Sequence, residues 1–139
     1  LYNFALYTEW PISPDSFEFC LVGAAGTNGV RQAADALSRR TITGRTIRVR
    51  FADFGDELST CHLALLPAAS PQQVAPALAR LQGEPVLTIV DGDGEVGEAA
   101  ILRLMRRNER LVFEANLTAA RAVGLSLSSK MLRLARAVR

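Results

Sequence analysis

Short apolar runs alternate with amphipathic stretches along this chain, and that alternation narrows the fold more than any other feature. Residues 17–22 (FEFCLV) form an apolar run closed by Gly23, which reads as a buried strand. Asn28 can cap a helix to about residue 40, with Val30, Ala33, Ala34 and Leu37 facing inward. In residues 45–51, Ile47, Val49 and Phe51 alternate with arginines as in a strand, and residues 62–66 form a third strand. Ser70 opens a helix with Pro71 at its first position, ending near Gly83, and residues 85–90 are a fourth strand. Residues 1–10 read as an apolar, aromatic helix stopped by Pro11. Strands and helices in this order predict a mainly parallel sheet with both faces covered. The 139 residues suit one domain spanning the whole chain.

The last third is patterned differently. The apolar residues of 99–107 fit both the helical and the strand period. Phe113 and Ala115 alternate with Glu114 as in a half-buried strand. Asn116 can cap a helix and Gly124 can end it. Ser128 or Ser129 can cap another, with Met131, Leu132, Ala135 and Val138 on its buried side and Lys130, Arg133, Arg136 and Arg139 opposite.

The formal charge of +2 is small, and Lys130 is the only lysine. The arginines are scattered and interleaved with acids, which reads as compositional bias and not as a nucleic-acid footprint. The apolar runs are far shorter than a membrane span, so no insertion is expected. The chain starts at Leu1 without a methionine, so a leader has room to precede it and the compartment stays open.

Few residues assemble into chemistry. Residues 92–97 spell GxGxxG, but Asp91, Asp93, Glu95 and Glu98 surround them with charge that repels a pyrophosphate. Asp91, Asp93 and Glu95 have the spacing of a calcium loop, yet its twelfth position is Leu102, so no metal site is expected. The loop of residues 23–29 joins a strand to a helix start, where free amides favour anions. Gly23, Gly26, Asn28 and Gly29 are therefore the candidate small-ligand residues, although the Lys-Ser/Thr of a phosphate-binding loop is absent. His62 is the only histidine and follows Cys61 directly. Neighbouring strand residues face opposite ways, so the two do not make a nucleophile pair. Cys20 and Cys61, the only cysteines, can form a disulfide or sit as buried free thiols. No catalytic residue, cofactor or metal is predicted.

Three blocks in conserved order carry a resemblance. The stretch 113–135, FEANLTAARAVGLSLSSKMLRLA, matches an aromatic-Glu-x-Asn-Leu strand end, an Ala-rich turn, Gly-Leu, a Ser pair and a Leu-rich helix. Tyr7-Thr8-Glu9-Trp10-Pro11 matches a helix ending in Trp-Pro, and Phe19-Cys20-Leu21-Val22-Gly23 with Cys61-His62 matches a cysteine pair. Together they resemble the YfiR family of small periplasmic proteins. The resemblance implies that Cys20 and Cys61 are bonded. It also favours a strand over residues 99–107, paired as an antiparallel hairpin with residues 110–115. The implied fold is a single three-layer α/β domain with a mostly parallel sheet, that C-terminal hairpin, and helices on both faces. The implied function is periplasmic repression of an inner-membrane diguanylate cyclase by binding its sensor region, which controls cyclic-di-GMP and biofilm formation. The family's dimers imply a homodimer, for which Tyr7 and Trp10 in the aromatic N-terminal segment are candidate interface residues. The competing reading is a periplasmic small-ligand module that uses the 23–29 loop and feeds another membrane sensor or transporter.

Overall fold

The computed structural model describes residues 2–23, 28–67, 71–92 and 99–139. Among these residues the main sheet has eight strands. Five run parallel in the order β4 (Arg45–Ala52), β2 (Phe17–Val22), β5 (Leu63–Pro67), β6 (Leu87–Asp91), β7 (Leu102–Arg107). β3 (Thr41–Ile42) adds antiparallel to β4 at one edge. At the other, β8 (Arg110–Ala115) pairs antiparallel with β7, and β10 (Ala137–Val138) lies parallel to β8. This is the predicted mostly parallel sheet with its antiparallel hairpin. The ambiguous stretch is a strand because Asp91 and Glu114 both find partners across it, Leu104 and Arg103.

Both faces are covered. α3 (Pro71–Arg80) buries Val74, Ala77 and Leu78 against one face, where they meet Cys20, Leu66 and Val90. The helices α1 (Tyr2–Leu6), α4 (Leu117–Ala122) and α5 (Ser129–Leu134) cover the other. Their Ala5, Ala120 and Met131 share a core with Phe19, Leu63 and Ile89, and Leu37 of α2 (Asn28–Ser38) packs against the same cluster. The caps expected from sequence are present: Asn116 Oδ1 accepts from Ala119 N at 3.0 Å and Ser128 Oγ from Met131 N at 3.1 Å. Gly124 follows α4 with φ +79°, a conformation that excludes most side chains.

Two expectations are corrected. Residues 1–10 are not one helix. α1 stops at Leu6, and β1 (Thr8–Glu9) pairs antiparallel with β9 (Ser126–Leu127). The Tyr7 carbonyl accepts from Ser128 N at 2.9 Å, and Thr8 Oγ1 donates back to the Phe4 carbonyl at 2.6 Å, so this backbone is satisfied by the distant ribbon. The last helix is also shorter than its periodicity suggests. It ends at Leu134, and Val138 is 45% exposed rather than inward. The free edge of β8 captures the chain there: Arg136 N donates to Phe113 O at 2.8 Å and Arg139 N to Ala115 O at 2.9 Å. The Arg139 carbonyl in turn accepts from Leu117 N at 2.8 Å, supplying the first turn of α4 with an acceptor.

Candidate functional site

Cys20 lies mid-strand in β2, paired with Arg50 of β4 on one side and Ala64 of β5 on the other. Cys61 lies three residues before Ala64, at the end of the helix-free connection from β4 to β5. The two sulfurs are bonded at 2.02 Å with Cα atoms 6.0 Å apart, and neither cysteine is exposed by more than 2%. The bridge therefore pins the β4–β5 connection to the strand it crosses. Leu58 and Phe54 of that connection pack in the same cluster.

Arg50 crosses over the bridge. Its Nη2 donates to the Glu57 carbonyl at 2.8 Å and lies 3.3 Å from Cys61 Sγ, while its Nε is 3.8 Å from Glu18 Oε1. Sequence reading passed over this residue. Arg48 and Arg50 alternate with apolar residues, but only the register with β2 shows that Arg50 shares the face of Cys20.

The third strand begins one residue later than predicted, at Leu63, and His62 just before it turns its ring towards Phe17, 5.6 Å away. Its Nδ1 accepts from Glu18 N at 3.0 Å, so this nitrogen carries no proton. Burial pushes the imidazole below its ordinary value of 6.5, opposed by the Glu18 carboxylate. Trp10 closes the group. Its Nε1 donates to the His62 carbonyl at 3.0 Å, and its ring lies 5.2 Å from Phe17 and 6.2 Å from His62. These hydrogen bonds tie the His62 ring and backbone into the fold.

The candidate ligand loop is only partly described. The Gly23 amide donates to the Ala52 carbonyl at 2.9 Å and is not free for an anion. Gly23 has φ +69°, and a Cβ there would stand 3.0 Å from the Phe54 ring and 3.5 Å from Pro67. Phe54 thus covers the carboxyl end of β2, the position where open α/β sheets usually admit ligands. Gly26 lies outside the described residues. Asn28 and Gly29 are the first two residues of α2, and their side chains lie outside as well. Of the glycine-rich acidic stretch, Asp91 and Gly92 are described, the latter donating its amide to the Leu104 carbonyl at 2.9 Å, and residues 93–98 lie outside.

Tyr7 and Trp10 are both partly buried and lie on the two sides of β1. Trp10 borders a groove with Phe17, Ile42 and Arg45, whereas Tyr7 borders a separate one with Ser126 and Ser128. Lys130 Nζ stands 5.2 Å over the Tyr7 ring. The two grooves share Leu6 and Glu9.

Among the described residues, no group of three or more His, Cys, Asp or Glu side chains is placed to hold a metal, and no helix is long and apolar enough to cross a membrane. The fold and the bridge together define a disulfide-stapled α/β protein. The chain belongs to the YfiR/HmsC-like family, whose model matches residues 1–136. Membership supports a non-catalytic periplasmic regulator acting in diguanylate-cyclase control in general.

Proposed function

We propose that the protein is a periplasmic repressor that binds the sensor region of one inner-membrane diguanylate cyclase and holds it inactive. The observation that carries this reading is the family match across 136 residues, on a fold that keeps the family's cysteine pair bonded. The mechanism is differential binding. The repressor favours the off state of its cyclase, and an effector or reduction of the bridge that weakens binding shifts the balance towards synthesis. Cyclic-di-GMP then rises and biofilm formation follows. Self-association belongs to the same proposal, with the surfaces of Tyr7 and Trp10 as its candidates.

Deleting the gene in its own host tests this. Cyclic-di-GMP rises on deletion and returns to its low level when the wild-type chain is restored. An unchanged level sinks the repressor reading and leaves the small-ligand module as the better account. Ligand titration of the purified protein then becomes the next measurement.

A further inference from the structure

The small net charge hides an uneven distribution along the chain. Residues 102–139 hold nine of the sixteen basic side chains and only two of the fourteen acids. That leaves +7 on residues 102–139, against −5 on the first 101 residues. Of this segment, the strands β7, β8 and β10 form one edge of the sheet, opposite β3 and β4, while α4 and α5 pack on its face.

The outermost part of that edge is a projecting hairpin. The pairing of β6 with β7 ends at Asp91 and Leu104, and β10 joins β8 only from Phe113 onward. Among the described residues, residues 105–112 therefore extend past both neighbours. Arg106 and Arg110 stand exposed on this arm, with Leu111 60% exposed beside them. Leu134 is 70% exposed at the end of α5. The chain meets β8 where Arg136 N bonds the Phe113 carbonyl, two residues after Leu134 on one side and two after Leu111 on the other. Arg133 adjoins Leu134 and is exposed. Arg136 reaches from the edge to Met105, its Nη1 3.4 Å from the sulfur.

We propose that this edge docks on an anionic phospholipid surface. Arginines around a few projecting leucines fit a membrane interface: the guanidinium groups stay at the headgroups while the leucines enter the acyl boundary. A net positive edge is drawn to anionic headgroups and screened by salt. The exposed leucines favour a lipid surface over a purely acidic protein face, which offers apolar side chains no comparable solvent. Docking is peripheral and requires no spanning segment. It stands apart from the choice of cyclase, because it is tested on purified protein without one.

The test is co-sedimentation of the full chain with vesicles of phosphatidylcholine alone or mixed with phosphatidylglycerol. The protein binds the mixed vesicles, is released by high salt, and ignores neutral vesicles. Arg106→Gln with Arg110→Gln lowers partitioning about thirtyfold, from about 1 kcal/mol per basic residue at an anionic surface. Leu111→Ser with Leu134→Ser lowers it several-fold. Arg31→Gln with Arg48→Gln, an equal loss of charge on α2 and β4, leaves it nearly intact. All these positions are exposed, and circular dichroism with thermal melting checks that each variant is folded. Failure to prefer the mixed vesicles overturns the proposal, as does equal loss in both arginine pairs. If phosphatidylglycerol is ignored while polyglutamate is bound, the edge serves an acidic protein and the lipid assignment is wrong.

Discussion

Glu18 and His62 clasp each other twice: the Glu18 amide donates to the imidazole Nδ1 at 3.0 Å, and the His62 amide donates to the Glu18 carbonyl at 2.8 Å. Protonating Nδ1 removes the first of these bonds. Because burial lowers the folded-state value, the unfolded chain takes up the proton first as pH falls. Stability from this group is fully present above the ordinary value of 6.5 and is lost below it, until the folded imidazole also protonates. The urea midpoint is expected to fall between pH 7.5 and 5. His62→Asn, which retains an acceptor near Nδ1 but cannot titrate, flattens that limb. A wild-type midpoint constant across this range contradicts the arrangement.

The bridge closes a loop with a sequence separation of 41. On the chain-entropy model it stabilises the fold by about 4 kcal/mol at most. Cys20→Ala with Cys61→Ala is expected to lower unfolding free energy by about 2–4 kcal/mol while preserving the far-ultraviolet spectrum. Both cysteines are buried, so reductant should reach the bridge only on opening of the β4–β5 connection. Mass spectrometry after alkylation of native, unreduced protein should find no free thiol. Two modified cysteines in that sample would show the bridge to be absent.

Thr43 sits at φ +50°, followed by Gly44 at φ +79°, in the two-residue turn between β3 and β4. A β-branched residue is disfavoured there, whereas Asn-Gly suits such a turn. Thr43→Asn should raise stability by about 0.5–1 kcal/mol, read as a higher urea midpoint at unchanged slope. A lower midpoint would mean that the Thr43 hydroxyl, which donates to the Ile42 carbonyl at 2.7 Å, contributes more than the strain costs.

Self-association is expected at tens of micromolar. Light scattering that gives one chain's mass, 15.0 kDa, across that range would remove the homodimer. Should a dimer form, Tyr7→Ser and Trp10→Ser separate the two candidate surfaces. Trp10→Ser also removes the bond to the His62 carbonyl, so its stability must be measured alongside.

The central strands were legible because their apolar content is local. Residues 17–22 need no partner to declare themselves, and Asn116 and Ser128 mark their helices through side chains of their own. The short strands were not. Thr8 and Glu9 become a strand only because Leu127 and Ser126 lie opposite, and Ala137 and Val138 only because β8 has an open edge. The helical period of Met131, Leu132, Ala135 and Val138 was a true pattern that edge hydrogen bonds overrode. Arg50 remained hidden because cross-strand register, not composition, sets it beside Cys20. The basic surplus of residues 102–139 is present in the sequence itself, but only the strand order shows that β7, β8 and β10 of that stretch form one edge.

The ribbon joining Thr8 to Leu127 sets a timetable. A chain emerging amino end first, from a ribosome or a translocation pore, cannot close it until residues 126–127 are free. Until then Phe4 has no Phe113 ring to meet and Tyr7 no Ser128 amide to accept. Residues 2–10 are made well before their partner ribbon and seated late. During that interval their exposed aromatic side chains are natural ground for a chaperone, and mutations that delay the arrival of β9 should harm yield before they harm the finished fold.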